Sequence, residues 1–443
     1  MNKRTIVAAA AVVLIVACAA AYRYLAAKQS QYSLVLISLD TLRADRLGAY
    51  GYSRPTSPSI DRLAKESALF VNAVSVTSWT LPAHVSLFTG LYPTTHGVRT
   101  RELGKIPPST PLLAEILESR GYKNYGLMGG GYLGADHGFK RGFIKYARVG
   151  NPAKFAFGKQ VKQAEEILKS IPEHHPYFLF LHTYDIHCPY ETPPEYHSHF
   201  RSEGAAPIDA SKCGKTFYNQ QNVTPQQALH LSDHYDASIR MVDDAFGKLI
   251  DYLKSRSDYD DTIIIVTSDH GEEFLEHGRI GHILSLNREL LMVPLIIKAP
   301  GAKPRAIENT VSLVDITPTV LDLLNIEDLP KMDGRSLGKL LKGENSEIRP
   351  FQFSELEVDV NLRSHYDDQY HTIVDLESGS ASLFDVTADS TEQNNIAEAQ
   401  PEVLEERVSQ LQKFVSGLIS GLGESKSHSD KELEQLRTLG YLD

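Results

Sequence analysis

The sequence predicts a layered α/β domain carrying a small α+β appendage, and three observations point there. Apolar runs at residues 34–39, 177–181, 262–266 and 293–297 have the length and composition of strands buried on both faces, as in a parallel sheet. Helix-period patterns lie between them, at residues 112–117 and 161–168 and in Ile239, Val242, Phe246, Leu249 and Leu253, spaced by three and four. Strand and helix alternate as far as residue 341, where Lys342-Gly343-Glu344-Asn345-Ser346 makes a polar break. Beyond it, residues 351–355, 370–374 and 382–386 read as short strands, 403–418 as an amphipathic helix and 431–443 as a closing helix. The expected division is therefore a leader at 1–32, a large domain at 33–341 and a subdomain at 342–443.

The composition agrees. Of 443 residues 42% are hydrophobic and 23% charged, with 3 Cys, which excludes a disordered chain and a disulfide scaffold. A mean hydropathy of −0.25 excludes a multi-span membrane protein. The formal charge of −11 argues against a nucleic-acid partner, because such binding is dominated by Lys and Arg neutralising phosphates.

The N-terminus sets the expected compartment. Met1-Asn2-Lys3-Arg4 is a basic head, residues 5–21 carry no charge, and Arg23 and Lys28 follow. This is an export signal or a single membrane anchor. Ile15-Val16-Ala17-Cys18 resembles the bacterial lipobox, which would make Cys18 an acylated mature N-terminus; an uncleaved anchor is the other reading. Both tether the chain outside the cytoplasm, in the periplasm or on the cell surface. Cys188 and Cys213 could pair there or remain as two thiols.

In open α/β sheets ligands bind at the carboxyl ends of the strands, and the apolar runs end in suggestive residues. The first ends at Asp40 and the third at Ser268-Asp269-His270. Each alone reads as a capping or turn signal, but two Asp and a His at one sheet edge could hold a divalent cation. Between them, Thr80-Leu81-Pro82-Ala83-His84-Val85-Ser86-Leu87-Phe88-Thr89-Gly90 has Pro in the first turn and Gly at the end of a helix. Thr80 would stand at its N-terminus, as a simple cap or as a hydroxyl nucleophile facing an anion site. Gly129-Gly130-Gly131 lacks the Lys-Ser/Thr of a phosphate loop and reads as a turn.

These motifs together resemble the sulfatase family of the alkaline-phosphatase superfamily. The likeness rests on Ile37-Ser38-Leu39-Asp40-Thr41-Leu42-Arg43-Ala44-Asp45-Arg46-Leu47-Gly48, the Thr80-to-Gly90 segment with Leu91-Tyr92-Pro93 and His96-Gly97-Val98, Ser268-Asp269-His270-Gly271-Glu272 and Val293-Pro294-Leu295-Ile296-Ile297. It continues into Leu383-Phe384-Asp385-Val386 with Asp389, Glu392 and Asn395. The resemblance implies a three-layer α/β/α sandwich with a mixed, mostly parallel sheet and a small C-terminal subdomain. It implies Asp40, Asp269, His270 and Thr80 as metal ligands, with Thr80 also the nucleophile. His187 matches a substrate-contacting His, His282 the group that assists the leaving oxygen, and Arg101 a position set against the bound anion.

Two departures carry information. Thr41 stands where most sulfatases have a second Asp, and His270 follows Asp269, which tilts the metal from Ca²⁺ toward Mn²⁺ or Zn²⁺. A second metal at Asp185, His187 and His282 is the weaker reading, since substrate contacts would show the same Asp-x-His spacing. At the nucleophile, Thr80-Leu81-Pro82-Ala83-His84 lacks both the residue that sulfatases oxidise to formylglycine and the Arg of that motif. A Thr sulfate ester has no second hydroxyl to expel it, so the chemistry favours phosphoester, phosphodiester or phosphonate substrates, by hydrolysis or transfer. His84 or Arg101 would face the equatorial oxygens, and His282, or else His187, would protonate the leaving group. Sulfate-ester hydrolysis is the alternative; a non-catalytic lipoprotein holding an anionic polymer is the alternative of another class.

Overall fold

The computed structural model describes residues 32–102, 104–150, 155–211 and 222–418. The leader with Cys18, the Cys213 thiol and the expected helix at 431–443 lie outside them. Among the described residues eleven strands precede the appendage: β1 (Ser33–Leu39), β2 (Ala68–Val74), β3 (Lys123–Met128), β4 (Lys145–Arg148), β5 (Tyr177–Thr183), β6 (Thr262–Thr267), β7 (Glu273–Phe274), β8 (Ile280–Gly281), β9 (Met292–Lys298), β10 (Arg305–Ile307) and β11 (Val311–Ser312). All but the β7–β8 hairpin join one nine-stranded sheet in the order β10-β2-β9-β6-β1-β5-β3-β4, with β11 also on β2.

The period-2 alternation of the central strands builds the layers. Leu34 and Leu36 share a face with Phe178, Phe180, Ile263 and Ile265, under the helices Thr80–Thr89 and Leu113–Ser119. Val35, Ile37, Leu179, Leu181, Ile264 and Val266 point the other way, onto the helices Pro58–Lys65, Phe157–Ser170 and Pro225–Lys254. Each fully buried aliphatic or aromatic side chain contributes roughly 1.5–3 kcal/mol, so the strand interiors stay apolar and polar chemistry is confined to their ends.

One expectation needs correction. The run at residues 293–297 is β9, but it lies antiparallel to both neighbours, β6 and β2, where its burial suggested a parallel strand. From the carboxyl end of β6 the chain makes the β7–β8 hairpin at the same edge and enters β9 without a crossover, so the direction reverses. Burial on both faces is common to central strands of either direction. The remaining strands of the sheet are parallel, and β2 among them brings its carboxyl end to the shared edge.

The appendage is an antiparallel meander, β12 (Gln352–Glu357), β13 (Asn361–Tyr366), β14 (Tyr370–Asp375) and β15 (Ala381–Asp385), followed by the helix Pro401–Gly417. It docks on the connection between β2 and the Thr80–Thr89 helix. Ser354 Oγ donates to the Ser75 carbonyl at 2.6 Å, and Glu355 N to the Val76 carbonyl at 2.8 Å. Among the described residues no helix is long and apolar enough to cross a membrane.

Candidate active site

Asp40 follows β1, Asp269 and His270 follow β6, and Thr80 opens the helix after β2, so three strands deliver these side chains to one edge. Ligand atoms of Asp40, Asp269 and His270 all lie within 4.8 Å of one another, and all three residues are buried. Thr80 Oγ1 is 3.3 Å from His270 Nε2, and its side chain hydrogen-bonds to Asp40. All ten residues of the Thr80–Thr89 helix are buried, and its chain ends at Gly90 in the left-handed region, φ 68°.

Backbone geometry around the cluster is unusual. Thr41 has φ 60°, a conformation strained for a β-branched residue and of order 1–3 kcal/mol in cost. It points Thr41 N at Asp269 Oδ1, 3.2 Å away, while Tyr235 Oη donates to the Thr41 carbonyl at 2.7 Å. After His270, a Cβ at Gly271 would lie 1.9 Å from the Glu289 carbonyl oxygen, so only glycine lets the two segments meet.

Burial, Asp269 and Glu272 together push the Asp40 carboxyl well above the carboxylate range. Two buried carboxylates this close cannot both ionise without a cation. His270 is pushed down to about 4 and His84 is lowered, both by burial, so both imidazoles are neutral at pH 7. Asp40 Oδ1 and Asp269 Oδ2 are buried with no hydrogen-bond partner, at a cost expected to be offset by a ligand. Ligand atoms around a tetrahedral ion at 2.0–2.2 Å lie roughly 3.3–3.6 Å apart. His270 Nε2 is 3.3 Å from Thr80 Oγ1 and 3.4 Å from Asp269 Oδ2, so the residues present fit a divalent metal.

A row of imidazoles runs away from this cluster. The rings of His270 and His282 are 4.5 Å apart, and those of His282 and His187 are 5.0 Å apart. His282 Nδ1 donates to Glu272 Oε1 at 2.7 Å, and Tyr190 Oη donates to the other Glu272 oxygen at 2.8 Å. His187 Nδ1 is 2.5 Å from the Cys188 carbonyl. Cys188 is half of a disulfide, while Cys213, the partner considered above, lies outside the described residues.

His84 and Arg101 are placed differently from that row. His84 Nε2 is 2.9 Å from Ser38 Oγ and its Nδ1 is 2.8 Å from the Thr80 carbonyl, so both nitrogens are engaged inside the fold. Arg101 pairs with Asp359 at 2.6 Å, its side chain 29% exposed, and hydrogen-bonds to Tyr132, whose ring meets Trp79 edge-on. Asp185 accepts the N–H groups of Ala156 and Phe157 at 3.0 and 2.8 Å, tying the start of the Phe157–Ser170 helix. Gly129 to Gly131 follow β3 and pass Tyr184, leading into a 3₁₀ turn at Gly131–Leu133.

Three contributors were not singled out by sequence reasoning. His182, in β5, sits 3.0 Å from Asp40 Oδ2 beside Ser38. A His one residue beyond an apolar run, in register with the strand that ends at Asp40, was the available signal. Glu272 lay inside a quoted motif but only its contact with His282 gives it a task, and Tyr190 carried no signal.

Buried carboxylates and imidazoles thus gather at a helix N-terminus on the carboxyl edge of a mixed sheet, an arrangement that fits a divalent metal. The chain belongs to the sulfatase family of the alkaline-phosphatase superfamily: the family's sequence profile matches residues 33–326, and that of the N-sulphoglucosamine sulphohydrolase C-terminal region matches 276–418. The multifunctional alkaline phosphatase superfamily protein PehA of Trinickia caryophylli is 27% identical over 411 residues, spanning 74% of this chain and 79% of its own. The ulvan-active sulfatase of Formosa agariphila is 26% identical over 412 residues, spanning 82% of this chain and 76% of its own. In fold, the phosphonate monoester hydrolase of Agrobacterium radiobacter is similar with a TM-score of 0.71 at 21% identity, over 87% of this chain and 95% of that one.

Proposed function

We propose that the protein hydrolyses anionic phosphorus esters, phosphodiesters or phosphonate monoesters among them, through Thr80 as nucleophile. The carrying observation is Thr80 Oγ1 at the start of a buried helix, bonded to Asp40 and 3.3 Å from His270 Nε2. Helix N-termini attract anions, so the substrate's charged oxygens would face the hydroxyl that attacks. Asp40, Asp269, His270 and Thr80 would hold one divalent ion, with Mn²⁺ or Zn²⁺ favoured over Ca²⁺ by the imidazole. When bound, it supplies charge neutralisation and polarises the ester.

Thr80 Oγ1 forms the bond to phosphorus while the ester oxygen departs, and its proton leaves through the hydrogen bond to Asp40. His282 gives the departing oxygen a proton, and the Glu272 carboxylate at its Nδ1 fixes the orientation of its ring. Water then breaks the Thr80–phosphorus bond, one of its protons going to His282, and Asp40 returns its proton to the departing Thr80 oxygen. His187, in the same row, contacts the substrate. His84 is a positioning residue: its ring ties the first turn of the nucleophile's helix to Ser38 of β1. The Cys188 disulfide and the N-terminal sequence support an extracytoplasmic setting, tethered by Cys18 or by an anchor.

Sulfate-ester hydrolysis is the second reading, favoured by the name of the Formosa relative. The test is turnover of aryl phosphate, phosphodiester, phosphonate monoester and aryl sulfate by purified protein, with Thr80→Ala as control. Phosphorus substrates should win; efficient sulfate turnover that vanishes in Thr80→Ala would reverse the assignment.

A further inference from the structure

A second group of imidazoles lies apart from the active-site cluster. His197 ends the short helix Pro194–His197, and His230 and His234 occupy adjacent turns of the helix Pro225–Lys254, four residues apart on one face. One nitrogen from each of the three lies within 4.8 Å of the others. His230 Nε2 and His234 Nε2 are 3.2 Å apart, and the His197 and His234 rings stack at 3.6 Å. His197 Nε2 is buried without a hydrogen-bond partner.

Three crowded imidazoles are poorly explained as packing. They are half-buried, so they contribute little apolar burial, and any two protonated together would repel. The nearest carboxylate in sequence, Asp233, is occupied by Arg54 at 2.9 Å and by Ser202 Oγ at 2.7 Å. What the trio offers instead is donors. Two nitrogens on a tetrahedral Zn²⁺ at 2.0–2.1 Å lie roughly 3.3 Å apart, close to the observed 3.2 Å. An i, i+4 His pair on one helix is a common way to present two such ligands, and an all-nitrogen set selects Zn²⁺, Cu²⁺ or Ni²⁺ over Mg²⁺ or Ca²⁺.

We propose that His197, His230 and His234 form a second, structural transition-metal site that binds Zn²⁺ and clamps the segment after Cys188 onto the long helix. The clamp has a route to the reaction centre. The segment that carries His197 runs on from His187 and Tyr190, and Tyr190 holds Glu272. The residue after His234 is Tyr235, which holds the Thr41 carbonyl. Metal at this site would fix both supports at once, without touching substrate.

The test uses tag-free full-length protein, stripped with chelator and titrated with Zn²⁺. Asp40→Asn with Asp269→Asn, which removes the active-site ligands, should still bind one Zn²⁺ per chain, and adding His230→Gln should remove it. Co²⁺ substituted into the first variant should give the visible absorption of a tetrahedral site, lost with His230→Gln. Should the double Asp variant fail to fold, His230→Gln in the otherwise unaltered protein should bind one Zn²⁺ fewer than the parent and lose part of its zinc-dependent rise in Tm. Unchanged stoichiometry in a folded His230→Gln protein, or no zinc in the Asp40→Asn, Asp269→Asn protein, overturns the proposal.

Discussion

Two groups of buried carboxylates, one at the seam with the C-terminal sheet and one at the catalytic edge, are balanced in opposite ways. At the seam with the C-terminal sheet, Asp315 is paired with Arg349 and accepts the N–H groups of Ser312 and Arg335 at 2.9 and 2.8 Å. Glu355 takes Thr94 N and Oγ1 at 2.6 and 2.7 Å, with Arg363 3.4 Å away. Every seam carboxylate named has an arginine. At the catalytic edge, Asp40 and Asp269 meet imidazoles, and each keeps one buried oxygen with no hydrogen-bond partner. Carboxylates that bring their own guanidinium serve the architecture; a pair left short of positive charge is organised for a cation from solution.

The largest expected effect is at Thr80: Thr80→Ala should lower kcat by ~10⁴–10⁶-fold while the protein unfolds at an unchanged temperature. A variant that kept even a hundredth of parental turnover would remove Thr80 from the chemistry. Next, His282→Gln should cost ~10²–10⁴-fold in kcat, with much of the loss recovered on nitrophenyl esters, whose leaving group needs no proton. An equal loss on good and poor leaving groups would contradict acid catalysis.

Stability measurements sharpen the contrast directly. Asp315→Ala, which strands Arg349, should destabilise the protein by about 3–5 kcal/mol in denaturant unfolding. Asp40→Asn in metal-free protein should instead change stability by less than about 1 kcal/mol or raise it, because burial and Asp269 already disfavour the charged form of the carboxyl that Asn replaces. Comparable losses in the two variants would erase the distinction. Added Mn²⁺ or Zn²⁺ at a hundredfold excess over Kd should stabilise the parent by ~2.7 kcal/mol, and chelation should reverse it. His230→Gln serves as the background that isolates the catalytic cluster's share. The smallest effect is expected at Arg101, a partly exposed pair with Asp359: Arg101→Ala should cost below about 1 kcal/mol of stability and show itself, if at all, in KM rather than kcat.

Much of this was legible in the sequence. The central strands β1, β5 and β6 and the long helix announce themselves by unbroken apolar runs and by 3–4 spacing, since burial on both faces or one leaves that pattern. Asp40, Thr80, Asp269 and His270 stand at the ends of such elements, where a polar residue interrupts apolar sequence. The weaker strands β3, β4 and β10 carry exposed or mixed residues at the sheet's margins, and their composition does not separate them from loops. β13 was missed for a similar reason, since Asn361-Leu362-Arg363-Ser364-His365-Tyr366 is polar at four positions, although all but the first are buried in the fold.

By itself the sequence determined the layer architecture, the edge where chemistry gathers and the residue types placed there, because hydrophobic periodicity and strand ends are local properties of the chain. Only the tertiary structure decided the direction of β9, the coupling of Glu272 to His282, the approach of His182 to Asp40 and the engagement of His84 and Arg101 within the protein. Each of these depends on which segments lie side by side after folding. His182 and Asp40 are separated by 142 residues, and no local pattern records a contact made across the sheet.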